Sequence, residues 1–232
     1  MRSSVAPAAA ALLLLLAAIG TPPAPAALPA LSAAPQPGAV VQVESAGRWR
    51  AVVSKKFLGE GAGNQRFYQW YLSVYYDAGG IYGLKYRSPA GGGPLSKVER
   101  AAGGARMWFP TASAQIVGFA HLMPSGMQLV VQSHEMSADC GDAVVSVLAL
   151  HPNESVEPAA SVRNGCELSA TIDRGMGAGR DTLTLDGPYY APNAAMCCPT
   201  KAKAAATLSY RGGAWTLSPA NYSLYPGRFP PQ

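Results

Sequence analysis

The residues able to do chemistry in this chain are few: three histidines, four cysteines and a handful of acids near them. His134 stands directly beside Glu135, with Asp139 close behind, whereas His121 and His151 have no adjacent carboxylate. A hydrolytic site needs a base, an orienting acid and a nucleophile or metal-bound water. His134 and Glu135 are therefore the seed of one reading, an exported hydrolase assembled from distant residues. No second histidine stands at helical ligand spacing, so zinc is not expected. Ser125 lies in Pro124-Ser125-Gly126, a turn sequence without the strand-to-helix elbow that exposes a nucleophile. Asp139 and Asp142 echo calcium loops, but Cys140 and Gly141 fill the gap and two carboxylates cannot build a six-to-eight-oxygen shell. Cys197 and Cys198 are adjacent, not separated by the two residues typical of dithiol catalysts, and give a thiol-redox reading. No catalytic residue, metal or cofactor is assigned on these grounds. The expectation leans away from an enzyme, towards a binding or structural protein.

The compartment decides what four cysteines mean. Arg2 followed by an uninterrupted apolar stretch over residues 8–19, then Gly20 and Pro22, reads as a signal peptide over residues 1–27 with cleavage near Ala26. Its 12 apolar residues fall short of the about 20 that a bilayer-spanning helix needs, so no stable transmembrane anchor is expected. The first cysteine is Cys140, far from any cleavage point, which argues against lipid attachment at the mature N-terminus. Residues 28–39 are an Ala/Pro-rich linker. The expected location is exported, periplasmic or extracellular, in a bacterial setting. There, Cys140, Cys166, Cys197 and Cys198 are expected to form disulfides.

Such residues need a frame, and the remaining sequence supplies a β-rich one over residues 40–232. The chain is 49% hydrophobic and only 13% charged, with 25 Gly and 20 Pro, enough apolar material for a core and many turn formers. Apolar runs bounded by Gly, Pro or Asn predict strands at 48–57, 66–76, 81–87, 114–120, 127–134, 143–150, 166–173, 181–186, 204–210 and 214–217. Arg211-Gly212-Gly213 and Asp77-Ala78-Gly79-Gly80 predict hairpin turns, and one short helix is expected at 94–102. The fold class is all-β, mainly antiparallel, a sandwich or an open barrel behind an N-terminal signal helix. In the aromatic run 66–76, a period of two turns Tyr68, Trp70, Leu72, Val74 and Tyr76 into the core. It leaves Tyr71 and Tyr75 on the other face as a candidate exposed stacking platform. Without Arg2 the chain has 17 basic and 13 acidic residues, a net charge of +4, scattered along its length; nucleic acid is not an expected partner.

Strand direction bears on the disulfides. If 143–150 and 166–173 form an antiparallel pair, Cys140 and Cys166 lie at opposite ends, about 26 Å apart at the usual rise. A bridge spans about 7 Å between Cα atoms at most. On that premise Cys166 pairs with Cys197 or Cys198, and Cys140 pairs with the other or stays reduced. A bond between the two neighbours is strained and easily reduced.

The motifs Asp139-Cys140-Gly141-Asp142, Asp186-Gly187, Cys197-Cys198-Pro199-Thr200 and the closing Tyr210-Arg211-Gly212-Gly213-Ala214-Trp215 resemble the C-terminal region of bacterial exported proteins of the LppP/LprE lipoprotein type. The likeness covers about residues 115–217. It implies a secreted or envelope β domain without an assigned activity, and the lipid-attachment cysteine of that type is missing here. The expected function is a non-catalytic binding or structural role, with a cell-envelope component as partner.

Overall fold

The computed structural model describes residues 37–60, 66–89, 111–135, 143–165, 167–177, 179–190 and 200–228, and among them every regular element is a strand. Strands β1 (Ala39–Ala46), β2 (Trp49–Glu60), β3 (Arg66–Asp77) and β4 (Tyr82–Pro89) form an antiparallel meander, the N-terminal sheet. Strands β5 (Thr111–Ala120), β6 (Met127–Glu135), β7 (Ala143–Leu150) and β8 (Val156–Asn164) start the central sheet. Strands β9 (Ser169–Asp173), β10 (Thr182–Tyr189), β11 (Lys201–Arg211) and β12 (Ala214–Ser218) make the C-terminal sheet. The chain then returns as β13 (Ser223–Pro226) to the edge of the central sheet beside β8. The all-β expectation is met. The expected helices at the leader and at 94–102 lie outside the described residues.

Alternation along the central sheet creates two cores from one layer. Val130, Val145, Val147 and Val162 point to one side and pack with Leu183, Leu185, Ala206 and Leu208 of the C-terminal sheet. Leu129, Val131, Leu148 and Ile116 point to the other side and pack with Ala51, Val53, Leu72 and Val74 of the N-terminal sheet. The arrangement extends a sandwich to three layers, with β7 buried over nearly its whole length. A strand buried on both faces reads as a continuous apolar run, as Ala-Val-Val-Ser-Val-Leu-Ala-Leu does.

Three strands are additional to those expected. They are β1, β8 and β13, which have too few consecutive apolar residues for the strand signature. The consequence is largest at β8. It fills the interval expected as a loop, pairs with β7 so that Ala143 faces Asn164, and releases β9 into another sheet. The premise that separated Cys140 from Cys166 by a strand length is therefore overturned. The cysteines themselves lie outside the described residues. Both expected hairpin turns form, and Gly79, Gly80, Gly212 and Gly213 supply the positive φ that such turns need.

The sheets are stitched at their edges by glutamine amides. In β1 the register slips between Val40 and Gln42, and in β5 between Ile116 and Gly118. At these bulges Gln42 Nε2 donates to the Ile116 carbonyl (2.9 Å) and Gln42 Oε1 accepts from the Ile116 amide (2.8 Å). One side-chain amide thus satisfies both backbone groups of an edge residue, as a neighbouring strand would. Gln132 does the same for half a residue on the other flank, accepting from the Ala170 amide of β9 at 3.1 Å. Gln42→Ala should lower stability by about 1–3 kcal/mol, because it leaves a partly buried donor and acceptor unpaired. Thermal unfolding would show this as a drop of about 2–4 °C per kcal/mol.

Candidate functional site

The candidate tyrosines do not form an exposed platform. Tyr75 is fully buried, and Tyr71 is half-buried. The alternation itself holds: Trp70, Leu72, Val74 and Tyr76 do enter the core. What differs is the opposite face, where Val52, Ser54 and Ser73 are also fully buried. There Arg87 donates through Nε to Ser73 Oγ (3.0 Å) and through Nη2 to the Tyr75 hydroxyl (3.2 Å), so Tyr75 is held within the fold.

The histidines are dispersed. His134 Nδ1 lies 3.4 Å from Ser113 Oγ across β5 and β6, His121 Nδ1 lies 3.2 Å from the Gly126 carbonyl, and His151 Nε2 lies 3.9 Å from Glu157. The Glu135 side chain, Asp139 and Asp142 are outside the described residues, as are Cys140, Cys166, Cys197 and Cys198. Among the described residues no three His, Cys, Asp or Glu side chains come together in a metal-binding group.

A different set of residues converges at one end of the C-terminal sheet. The β9–β10 connection, Arg174-Gly175-Met176-Gly177-Ala178-Gly179-Arg180-Asp181, is built to bend. At Gly175 a Cβ would stand 2.3 Å from the Arg180 carbonyl oxygen, and Gly179 has φ +70° with Pro124 backbone atoms against it. Only glycine fits both constraints. The connection is pinned by Asp181, whose carboxylate is 5% exposed. Its Oδ2 accepts from the His121 amide (2.8 Å) and from Arg174 Nη1 (3.0 Å), and its Oδ1 accepts from the Gly175 amide (3.0 Å). Burial alone would raise the Asp181 pKa. The bonds from the His121 and Gly175 amides and from Arg174 outweigh it and hold the value below the ordinary carboxylate range.

The pairing of β10 with β11 sets Leu183 opposite Leu208, which carries Ser209, Tyr210 and Arg211 alongside Thr182 and Arg180. Between them is an open cleft of about 370 Å³. Tyr210 is half-buried and packs edge-on against Trp215, with ring centroids 5.3 Å apart. Arg180 and Arg211 are exposed, and among the described residues neither forms an ion pair. The one acid of the lining, Asp181, is already committed to Arg174 and two amides. The cleft therefore carries uncompensated positive charge beside an aromatic ring. A guanidinium pairs well with planar carboxylates and with phosphates, often in a bidentate way.

Sequence reasoning missed this cleft. Arg180 and Arg211 are far apart in the chain, and the signal that could have found them is local. Arginines flank one glycine-rich turn, and a third arginine opens the Gly-Gly hairpin turn expected beside the neighbouring strand. Comparison with protein-family models, curated proteins and solved structures finds no match.

Because the folded-state value is depressed, Asp181 contributes its full stabilisation above the ordinary aspartate value of about 3.9. The contribution is lost as pH falls from there through the depressed value. Asp181→Ala should cost about 1.5–3 kcal/mol at pH 7, and the gap between parent and variant should close on acidification through that range. Urea unfolding at a series of pH values measures both.

Proposed function

We propose that this chain is an exported, non-catalytic β-domain of the bacterial cell envelope that binds acidic glycans through the Arg180–Tyr210–Arg211 cleft. The observation that carries the reading is the pair of arginines without acid partners that line one cleft with a half-buried tyrosine. Arginines recognise carboxylate or phosphate groups, and an aromatic ring offers a stacking surface to a sugar. The apolar leader and the resemblance of the Cys-Cys-Pro tail to LppP/LprE-type exported proteins point to the same compartment.

In an oxidising compartment the four cysteines would be paired. Ala143 faces Asn164, Asn164 Nδ2 donates to the carbonyls of Glu167 and Pro188, and Tyr189 faces Lys201. Cys140, Cys166, Cys197 and Cys198 themselves lie outside the described residues. Protein purified from its native location should show no free thiols before reduction. Four alkylatable thiols would contradict the disulfide reading.

Binding is tested by titrating the protein with phosphate- or uronate-bearing wall glycans and with neutral glycans of similar length. Acidic glycans should bind and neutral ones should not. Arg180→Ser and Arg211→Ser should each weaken binding about 10-fold or more, the loss of a charge-assisted hydrogen bond. Equal binding to both glycan types, or binding unaffected by either substitution, would reject the cleft.

A further inference from the structure

Each of the three sheets has two edge strands, and most of these edges are closed or blunted. Strands β1 and β5 meet through the Gln42 amide, and the Ala170 amide of β9 is taken by Gln132. Strand β4 carries a register shift, Lys85 paired with Glu154 of the β7–β8 turn, and a closing Pro89. Strand β13 has four residues and ends in Pro226. Charge, proline, broken register and cover are the devices that stop an edge from templating another strand. Strand β12, Ala214-Trp215-Thr216-Leu217-Ser218, has no charge, no proline and no break in its register with β11. Among the described residues it pairs with β11 alone.

The turn fixes which backbone groups stay open. Gly212 and Gly213 form a two-residue hairpin loop, which makes Arg211 and Ala214 a hydrogen-bonded pair, and the ladder alternates from there. Ala214 and Thr216 therefore spend their N–H and C=O groups on β11, whereas those of Trp215 and Leu217 point out to the open edge. The Trp215 and Leu217 side chains lie on the inner face, half-buried against the core shared with the central sheet. Ala214, Thr216 and Ser218 are exposed on the outer face.

This edge is its own complement in an antiparallel pair. With Thr216 opposite Thr216 of a second copy on a two-fold axis, Trp215 falls opposite Leu217 and Ala214 opposite Ser218. The N–H and C=O of each Trp215 then meet the C=O and N–H of the Leu217 across the axis, so no outward group is left over. Apolar side chains face each other on the inner side and threonines on the outer side, pairs that stabilise antiparallel sheets, and no charge opposes another. Other axes do less well. Centring on Trp215 sets Leu217 opposite Gly213, and centring on Leu217 sets Trp215 opposite Pro219, which has no N–H. We propose that β12 is a dimerisation edge that joins the C-terminal sheets of two copies of this chain across an axis at Thr216. A contact of five residues per strand is small, so the dimer is weak and concentration-dependent. The symmetric contact uses up the edge in both copies and closes at two chains. It does not depend on the glycan cleft, whose Arg180 belongs to the β9–β10 connection.

Sedimentation velocity of protein purified from its native location tests this, over concentrations from about 1 μM to about 1 mM. Monomer should pass to dimer, with no larger species. The Trp215 and Leu217 amides should exchange with solvent more slowly as concentration rises, and the Thr216 amide, bonded to β11 in either state, should change less. Thr216→Lys sets two ammonium groups opposite each other at the axis and should weaken association about 10-fold or more. Thr216→Val keeps a β-branched, uncharged side chain and should retain it. Thr216 is exposed, so neither change disturbs the core. Arg180→Ser should leave association intact. Monomer at every concentration, growth beyond the dimer, or a dimer untouched by Thr216→Lys would overturn the proposal, as would one lost with Thr216→Val or Arg180→Ser. So would protection of the Trp215 and Leu217 amides that appears only when envelope extract is added, which would give the edge to a foreign strand.

Discussion

Strand β7 has no face to give to water. Its odd-numbered residues from Ala143 to Ala149 line the core shared with the C-terminal sheet, and Leu148 and Leu150 line the core shared with the N-terminal sheet. Each outer sheet has one side against this central layer, so neither core can form until β6, β7 and β8 are assembled in register. A one-residue slip of β7 would exchange the two sets of side chains, putting the alanines and valines matched to Leu183 and Leu208 against Trp70 and Leu72 instead. The double burial thus fixes the register as well as the layer order.

A sheet covered on both faces still has edges, and there the chain uses polar side chains that mimic backbone. Gln42 closes the β5 edge and Gln132 meets β9, each from a neighbouring sheet. Tyr222 works similarly after β12. Its buried hydroxyl sits 3.1 Å from the Gly187 carbonyl and 3.0 Å from that of Ala204, donating between them, just before the chain crosses to pair β13 with β8. Burial and the nearby Asp186 charge raise its pKa, both favouring the neutral hydroxyl over the phenolate. The same device recurs at Asp181, where a buried carboxylate gathers two amides and Arg174. By fixing the β9–β10 connection, it sets Arg180 in the lining of the cleft that also holds Arg211, while its own charge is taken up by Arg174 and two amides.

How far the sequence could be read follows from this architecture. Strand β7 is legible to the residue, since double burial demands a continuous apolar run. Strand β8 is not, because Pro158, Glu157 and Arg163 interrupt its pattern, and the pairing it makes with β7 comes from position between layers. The faces of β3 follow from its period of two, but the burial of Tyr75 does not: its neighbours Ser73 and Gln69 look solvent-facing and are in fact buried. The arginine cleft was legible only in its parts, the arginines at the two glycine turns. Its residues belong to different hairpins, and only the β10–β11 register unites them. Local chemistry is therefore readable in this chain where one strand carries it, and hidden where two sheets or two turns must meet.

The central claim is that β7 is the innermost strand of three layers. Native-state hydrogen exchange measured amide by amide tests it directly. The amides of Val145, Val147 and Leu148 should be the slowest in the molecule and exchange only through global unfolding, while those of the edge strands β12 and β13 exchange through local opening. Amides of β7 that exchange as fast as those of β12 would contradict the layered arrangement.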